Sequence, residues 1–266
     1  MDPQAPKISV VLCVFNAEKN IKLCVQSILD QIYSDFELLI VNDGSTDRTE
    51  KIILEMQKKD SRIFLRNIRN FGLTKALNVG LRYAKGEYIA RMDADDFAFP
   101  KRFAKQVAFL EKNSKVGVVG TGYQVTDVKG KRRNPKVNFW GKNEDIKRAL
   151  PKYNPFFHAS TMIRRSLLEK VAGYDEDFIY AQDYDLWFRL SKVTEFSNLN
   201  EVLMLRYEDF ETIRKESKQN WYAIKVRLKA IKEGNSEPFN IIYTIRPFLV
   251  MVTPIWLRET VRKLIR

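Results

Sequence analysis

The chain has 266 residues, 45% of them apolar and 30% charged, a composition that supports a full buried core and excludes a disordered chain. Its 46 Lys and Arg against 33 Asp and Glu leave a formal charge of +13, which points to an anionic partner: nucleic acid, phosphates or an anionic membrane surface. The two cysteines, Cys13 and Cys24, fall in a strand-like run and the helix-like pattern after it, so they read as core and exclude a disulfide framework or a cysteine metal site.

The segment Met1 to Pro6 holds no apolar stretch ahead of a cleavage site, and no later run reaches the ~18 uninterrupted apolar residues of a spanning helix. The folded body is therefore expected in the cytoplasm. Ile8 to Val14 and Phe36 to Val41 are apolar runs rich in β-branched residues, each followed by a polar loop and a helical pattern, as in a parallel sheet. Between them Ile21, Val25, Ile28 and Leu29 recur at helical spacing. After the second run comes the loop Asn42 to Thr46, and Asp47 with Glu50 forms a capping-box pattern for the next helix.

A strand at Arg62 to Arg66, a helix at Thr74 to Ala84 and a strand at Glu87 to Met92 continue the alternation, so this half reads as βαβαβαβ with right-handed crossovers. Such sheets bind ligands at the carboxyl ends of their strands, so the loops starting at Phe15, Asp43 and Asp93 are expected to converge on one crevice. Beyond Val116 the pattern loosens into short strands at Val116 to Gly120 and Tyr123 to Val128 and a basic loop at Lys129 to Lys136. Ser166 with Glu169 predicts a capped helix, and another helix starts at Asp183. The chain has no internal repeat and no low-complexity tract. Phe239 to Leu257 is apolar but broken by Arg246, Pro247 and Pro254, and Arg258, Arg262, Lys263 and Arg266 follow it, a pattern that suits a membrane surface or a dimer contact.

The tract Met92-Asp93-Ala94-Asp95-Asp96 sets three carboxylates within four residues after a strand, which repel one another unless a cation lies among them. Mg²⁺ or Mn²⁺ shared with substrate phosphates satisfies that requirement; an acidic turn capping the next helix is the simpler alternative. Asp43 at a strand end is placed to accept from a nucleobase imide or a ribose hydroxyl, and equally suits a turn. Phe15 is placed either to stack on a base or to pack.

The tracts ISVVLCVFNAEKNI, FELLIVNDGSTD and NFGLTKALNVGLRYAKGEYIARMDADD, in that order, resemble the successive signatures of family 2 glycosyltransferases of GT-A fold, over about residues 7 to 210. The resemblance implies an α/β fold, with a Rossmann-like, mostly parallel central sheet flanked by helices, a mixed acceptor half and an amphipathic tail. It implies nucleotide-sugar contacts at Phe15, Asn16, Glu18, Asp43, Asn70, Lys75, Asp93 and Ala94, and a metal at Asp95 and Asp93. The chain departs from the family pattern in having Cys13-Val14-Phe15 for Pro-Val-Tyr and Asn42 for Asp. Stacking survives the change at Phe15, but a phenol hydrogen bond does not.

Gln182-Asp183-Tyr184-Asp185-Leu186 is similar to the family's Glu-Asp-Tyr-Asp-Leu tract, which makes Asp183 the candidate general base, one carboxylate being sufficient for an inverting transfer. A helix N-terminal residue complementing the dipole is the alternative. His158, the only histidine, and Arg206 are candidate diphosphate or acceptor contacts. The expected organisation is a nucleotide-sugar half at 1–115, an acceptor and base half of the same domain at 116–235, and a basic tail at 236–266.

The implied activity is that of an inverting hexosyltransferase. The donor is a nucleoside diphosphate sugar, UDP being favoured by resemblance, and the acceptor a glycan or lipid-linked glycan. The protein is then expected to lie on the inner face of the cell membrane. A polyprenyl-phosphate sugar synthase is the alternative enzyme, but its anionic acceptor needs no base, which the Gln182-Asp183 tract opposes. A nucleotidyltransferase lacks its Gly-rich phosphate loop here. A non-catalytic sugar-nucleotide-binding protein is opposed by Asp95 and Asp183 together. A nucleic-acid module is opposed by the dispersed basic residues and the acidic loops, so no nucleic-acid partner is expected.

Overall fold

The strand Ile8–Val14 (β1) is buried at every position, as an unbroken apolar run demands when both faces of a sheet are covered. Ile8, Val10, Leu12 and Val14 pack toward one layer while Val11 and Cys13 pack toward the other. The computed structural model describes residues 5–127, 141–208 and 212–253. The predicted basic loop 129–136 and the tail beyond 253 lie outside the described residues.

After β1 come α1 (Ile21–Leu29), β2 (Phe36–Asp43), α2 (Thr49–Gln57), β3 (Ile63–Ile68), α3 (Leu73–Tyr83), β4 (Tyr88–Asp93) and β5 (Asp96–Ala98). Then follow α4 (Arg102–Lys112), β6 (Val116–Asp127), α5 (Asn143–Ala149), β7 (Met162–Arg164), α6 (Arg165–Lys170), α7 (Gln182–Leu190), β8 (Glu195–Glu208), α8 (Thr212–Lys232) and α9 (Ile245–Val252). The described strands form one eight-stranded sheet in the order β3-β2-β1-β4-β7-β6-β8-β5. The pairs β1 with β2, β1 with β4 and β2 with β3 are parallel, which is the predicted first half. The second half is mixed: β4 with β7, β6 with β7 and β5 with β8 are antiparallel, while β6 with β8 is parallel.

One layer is built from α1 and α4, through residues such as Cys24, Val25, Ile28, Phe103 and Val107. The opposite layer is built from α3, α7 and α8, through Ala76, Leu77, Trp187, Leu190 and Val226. Both cysteines are buried free thiols, as core residues should be. Burial pushes the Cys13 thiol up to about 12, so it is inert as a nucleophile at neutral pH.

Three sequence expectations are corrected. The two short strands predicted at 116–120 and 123–128 are one strand, β6, whose register against β8 shifts near Thr121 and Gly122; the irregularity mimics a break in the pattern. The pair Asp47 and Glu50 makes no capping box: Asp47 Oδ1 does accept from Thr49 N at 2.9 Å, but Glu50 accepts instead from Asn67 Nδ2 at 2.6 Å. Nor do Ser166 and Glu169 cap α6, which starts at Arg165 and whose Glu169 pairs with Arg165 one turn earlier. The Asn67 side-chain amide in the first case and the Arg165 guanidinium in the second take the glutamate in place of the N-cap backbone amide.

Candidate active site

The loops after β1, β2 and β4 meet at the carboxyl end of the parallel strands, where the sheet order turns from β1 to β4. Asp43, at the end of β2, accepts from Phe71 N at 2.8 Å and Gly72 N at 2.9 Å. It thereby fixes the loop before α3, whose first residue follows Gly72 in a left-handed conformation at φ 89°. A carboxylate offers about four acceptor sites, so two remain. Phe15 is half exposed at the mouth of β1. Asn16, at φ 49°, accepts through Oδ1 from Thr46 N at 2.8 Å, and Glu18 accepts through Oε2 from Arg48 N at 3.1 Å. These two predicted nucleotide contacts thus brace the loop after β2.

At the end of β4, Asp93 forms a short ion pair with the buried Arg91 guanidinium. The acidic tract calls for a cation, and the buried Arg91 supplies one from within the chain, a pairing that the tract alone does not reveal. The signal was available, since Arg91 is a charge inside the otherwise apolar strand segment Tyr88 to Met92. Ala94 is half-buried and packs on the apolar core. Asp95 is exposed, yet desolvation first and Asp93 second raise its carboxyl above the usual range, with Arg206 pulling the other way. Asp96 is buried, its Oδ2 has no hydrogen-bond partner among the described residues, and burial drives it well above the usual range.

A cleft of about 930 Å³ opens beside this tract, a volume that suits a nucleotide-sized ligand and part of a second one. Asn70, Asp93, His158, Asp183 and Arg206 all line it, so five predicted residues from distant parts of the chain come together. Lys75 is exposed on α3 with Nζ 5.8 Å from the Phe71 ring, and is not part of that lining. Arg206 pairs across the sheet with Asp96 and lies over the Phe157 ring at 5.2 Å, which sets a cation opposite the acidic loop.

Asp183 stands in the first turn of α7, two residues after Ala181, the N-cap, whose left-handed conformation at φ 57° is costly for a residue with a Cβ. Its Oδ2 accepts from Asn154 Nδ2 at 2.7 Å. Desolvation is the largest influence on this carboxyl and holds it above the usual range, while Asn154 and backbone amides pull it down. The second carboxylate of that tract is different in kind: Asp185 is buried, bonded to Arg189 at 2.8 Å and Lys229 at 2.7 Å, and ties α7 to α8. Asp183 alone of the pair faces the cleft. Asn154 went unrecognised because no spacing rule marks a lone loop asparagine.

His158 forms part of the cleft wall but is buried, its Nε2 2.8 Å from the Tyr174 hydroxyl. Burial and then Arg91 hold its imidazole well below the usual range, so it is neutral. Among the described residues no group of three His, Cys, Asp or Glu is arranged to hold a metal by itself.

The cleft at the carboxyl end of the parallel strands thus sets the acidic end of β4, at Asp93, together with Asp183 on α7. The glycosyl transferase family 2 model matches residues 9–172, and the chain belongs to that family. It is 33% identical over 272 aligned residues to an uncharacterised glycosyltransferase of Haemophilus influenzae, covering 90% of this chain and 81% of that one. It is 32% identical to the O-antigen biosynthesis glycosyltransferase WbnJ of Escherichia coli, over 74% and 78% of the two chains. Among solved structures, S. aureus TarS 1-349 in complex with UDP-GlcNAc matches with a TM-score of 0.69 at 19% identity, covering 92% of this chain and 70% of that chain. The mannosyltransferase PcManGT of Pyrobaculum calidifontis, in complex with GDP-Man and Mn²⁺, matches with a TM-score of 0.68 at 18% identity, over 97% and 79%. The fold is therefore GT-A and the protein is a glycosyltransferase.

Proposed function

We propose that the protein transfers a sugar, with inversion, from a nucleoside diphosphate sugar to a hydroxyl of a glycan or lipid-linked glycan, and that UDP is the carrier. The observation that carries the reading is Asp183, held by Asn154 in the same cleft that Asp93 lines, on a separate element. In-line displacement needs a base on the face away from the leaving diphosphate, and a single carboxylate provides it.

Phe15 is assigned to the nucleobase, with the open lone pairs of Asp43. Asn16 and Glu18 hold the loop that shapes this end, and Asn70 with Gly72 borders the diphosphate region. Asp93 and Asp95 are assigned to a divalent cation. Two hard oxygen ligands, with no third grouped beside them among the described residues, would suit Mg²⁺ or Mn²⁺ shared with substrate phosphates. When bound, such an ion neutralises charge developing on the leaving diphosphate. Arg206 faces the same region and adds fixed positive charge there. His158, neutral and bonded to Tyr174, shapes the wall.

In this scheme the acceptor hydroxyl lies within hydrogen-bond reach of Asp183, whose raised basicity improves proton removal as the sugar–oxygen bond forms. The proton passes to the carboxylate and the diphosphate leaves as the anion. The surface-polysaccharide setting is supported by the O-antigen relative. No helix among the described residues is long and apolar enough to cross a membrane. The apolar face of α9 supports peripheral attachment to an anionic membrane surface, on its cytoplasmic side.

The test is calorimetric titration of the purified protein with UDP, GDP, CDP and dTDP, each with Mn²⁺ and again with EDTA. One nucleotide binding in a metal-dependent way is expected, and a flat response to all four in both conditions would sink the donor-site assignment. Nuclear magnetic resonance of the product anomeric centre then checks inversion.

A further inference from the structure

A second cavity, of about 390 Å³, lies between residues 152–153, α8 and the segment leading into α9. It shares Asn220, Ala223 and Arg227 with the large cleft, so the two adjoin across a common wall. Lys152, Arg227 and Arg246 place three cations on its wall, and none of its described lining residues is acidic. Arg227 is buried and three of its five N–H donors are taken, by Pro151 O at 2.9 Å, Lys152 O at 2.9 Å and Ala223 O at 3.0 Å, so it stands as a fixed charge at the shared wall. Lys152 and Arg246 are exposed, which leaves their longer side chains able to meet a ligand.

Ile242, Pro247 and Val250 add apolar wall to the same cavity. At helical spacing Arg246, Pro247 and Val250 share the face of α9 turned to the cavity. The half-exposed Ile245, Phe248, Leu249 and Val252 form the roughly opposite, open face. The cavity itself thus joins cations to an apolar wall.

We infer that this cavity binds the phosphate or diphosphate head of a lipid-linked saccharide acceptor, with the start of its hydrocarbon against Ile242 and Val250 and its saccharide directed past Asn220 toward the cleft. Three cations beside an apolar wall, with no acidic residue in the described lining, complement an anionic amphiphile. The wall shared with the cleft selects an acceptor over a bulk phospholipid, which carries no saccharide to present there. The inference rests on the proposed transfer to a lipid-linked glycan and adds the site that holds the lipid end.

The experiment is calorimetry on the full chain, first with UDP and Mn²⁺ and then, with these present, with geranylgeranyl diphosphate. Geranylgeranyl diphosphate is expected to bind at least tenfold more tightly than inorganic diphosphate or geranylgeraniol. Lys152→Ala and Arg246→Ala are each expected to weaken it about tenfold while leaving UDP affinity unchanged. Both side chains are exposed, and melting curves confirm folding of the variants.

Equal binding of inorganic diphosphate would reduce the site to a free-anion site and overturn the inference. Equal binding of dihexanoyl phosphatidylglycerol would assign it to bulk lipid and do the same, as would lipid binding that ignores both substitutions. Failure of UDP to bind in the first titration counts against the donor reading alone, and the lipid titration is read independently of it.

Discussion

Asn154 Nδ2 donates to Asp183 Oδ2 at 2.7 Å, joining the loop ahead of Phe156 to the first turn of α7. The bond stabilises the ionised carboxylate against the desolvation that raises it. A base must be deprotonated to work, so the acid limb of kcat/KM is expected above the ordinary carboxylate range. Asn154→Ala removes a downward influence and shifts that limb further up, by roughly one pH unit for the loss of a charge-assisted hydrogen bond. An unmoved limb in the pH–rate profile would show that the bond does not govern the base.

Asp183→Asn keeps the shape and loses the base. Turnover is expected to fall by roughly 10² to 10⁴, while donor affinity measured by calorimetry stays within about twofold. Normal transfer by the purified variant would remove Asp183 from the chemistry. Asp185→Asn serves as contrast: it breaks the ties to Arg189 and Lys229 and is expected to lower thermal stability first.

Asp95→Ala is expected to weaken Mn²⁺-dependent UDP binding by at least about tenfold, to the level found with EDTA. Because Asp95 is exposed, the fold should be unaffected. A variant that retains metal-dependent binding would transfer the metal role to Asp93.

The parallel half of the fold was legible because its strands are buried on both faces and each leads into a loop with recognisable turn chemistry. Asp93 and Asp183 were legible as carboxylates at element ends. What escaped was pairing across the chain: Arg91 reads as an anomaly in a strand until Asp93 is seen beside it. Asn16 and Glu18 carried the family signature, yet their side chains bond to the 46–48 loop, a contact that depends on how two loops meet. The merging of two predicted strands into β6 likewise follows from its pairing with β8, which no local pattern encodes.

Gly86 allows the closest backbone approach in the parallel half of the sheet. A Cβ there would lie 2.4 Å from Ser9 N and 2.6 Å from Ile8 C, neither of which can swing aside. Gly86 N also donates to Ser9 Oγ at 2.8 Å, and Ser9 Oγ donates to Glu37 Oε1 at 2.6 Å, so displacement of the turn loosens a buried network. Gly86→Ala is expected to destabilise by roughly 3 kcal/mol. A denaturant midpoint equal to that of the parent protein would mean that the turn relaxes freely.

The exposed strip on α9 has a consequence separate from the acceptor. Half-exposed Ile245, Phe248, Leu249 and Val252 lie on a chain of net charge +13, and a surface of that kind partitions into an anionic bilayer by burying apolar area while its cations meet headgroups. Replacing Phe248 and Leu249 together with Glu removes apolar area and adds like charge to the lipid. Co-sedimentation with phosphatidylglycerol vesicles is expected to fall by at least about tenfold in partition coefficient, since each large side chain contributes about 1.5 kcal/mol or more when buried. Binding of the parent should also decline with salt, as headgroup attraction is screened. Undiminished sedimentation of the double variant would assign the apolar strip to a second protein surface, and a concentration-dependent change in mass by ultracentrifugation would identify that surface as another copy of this chain.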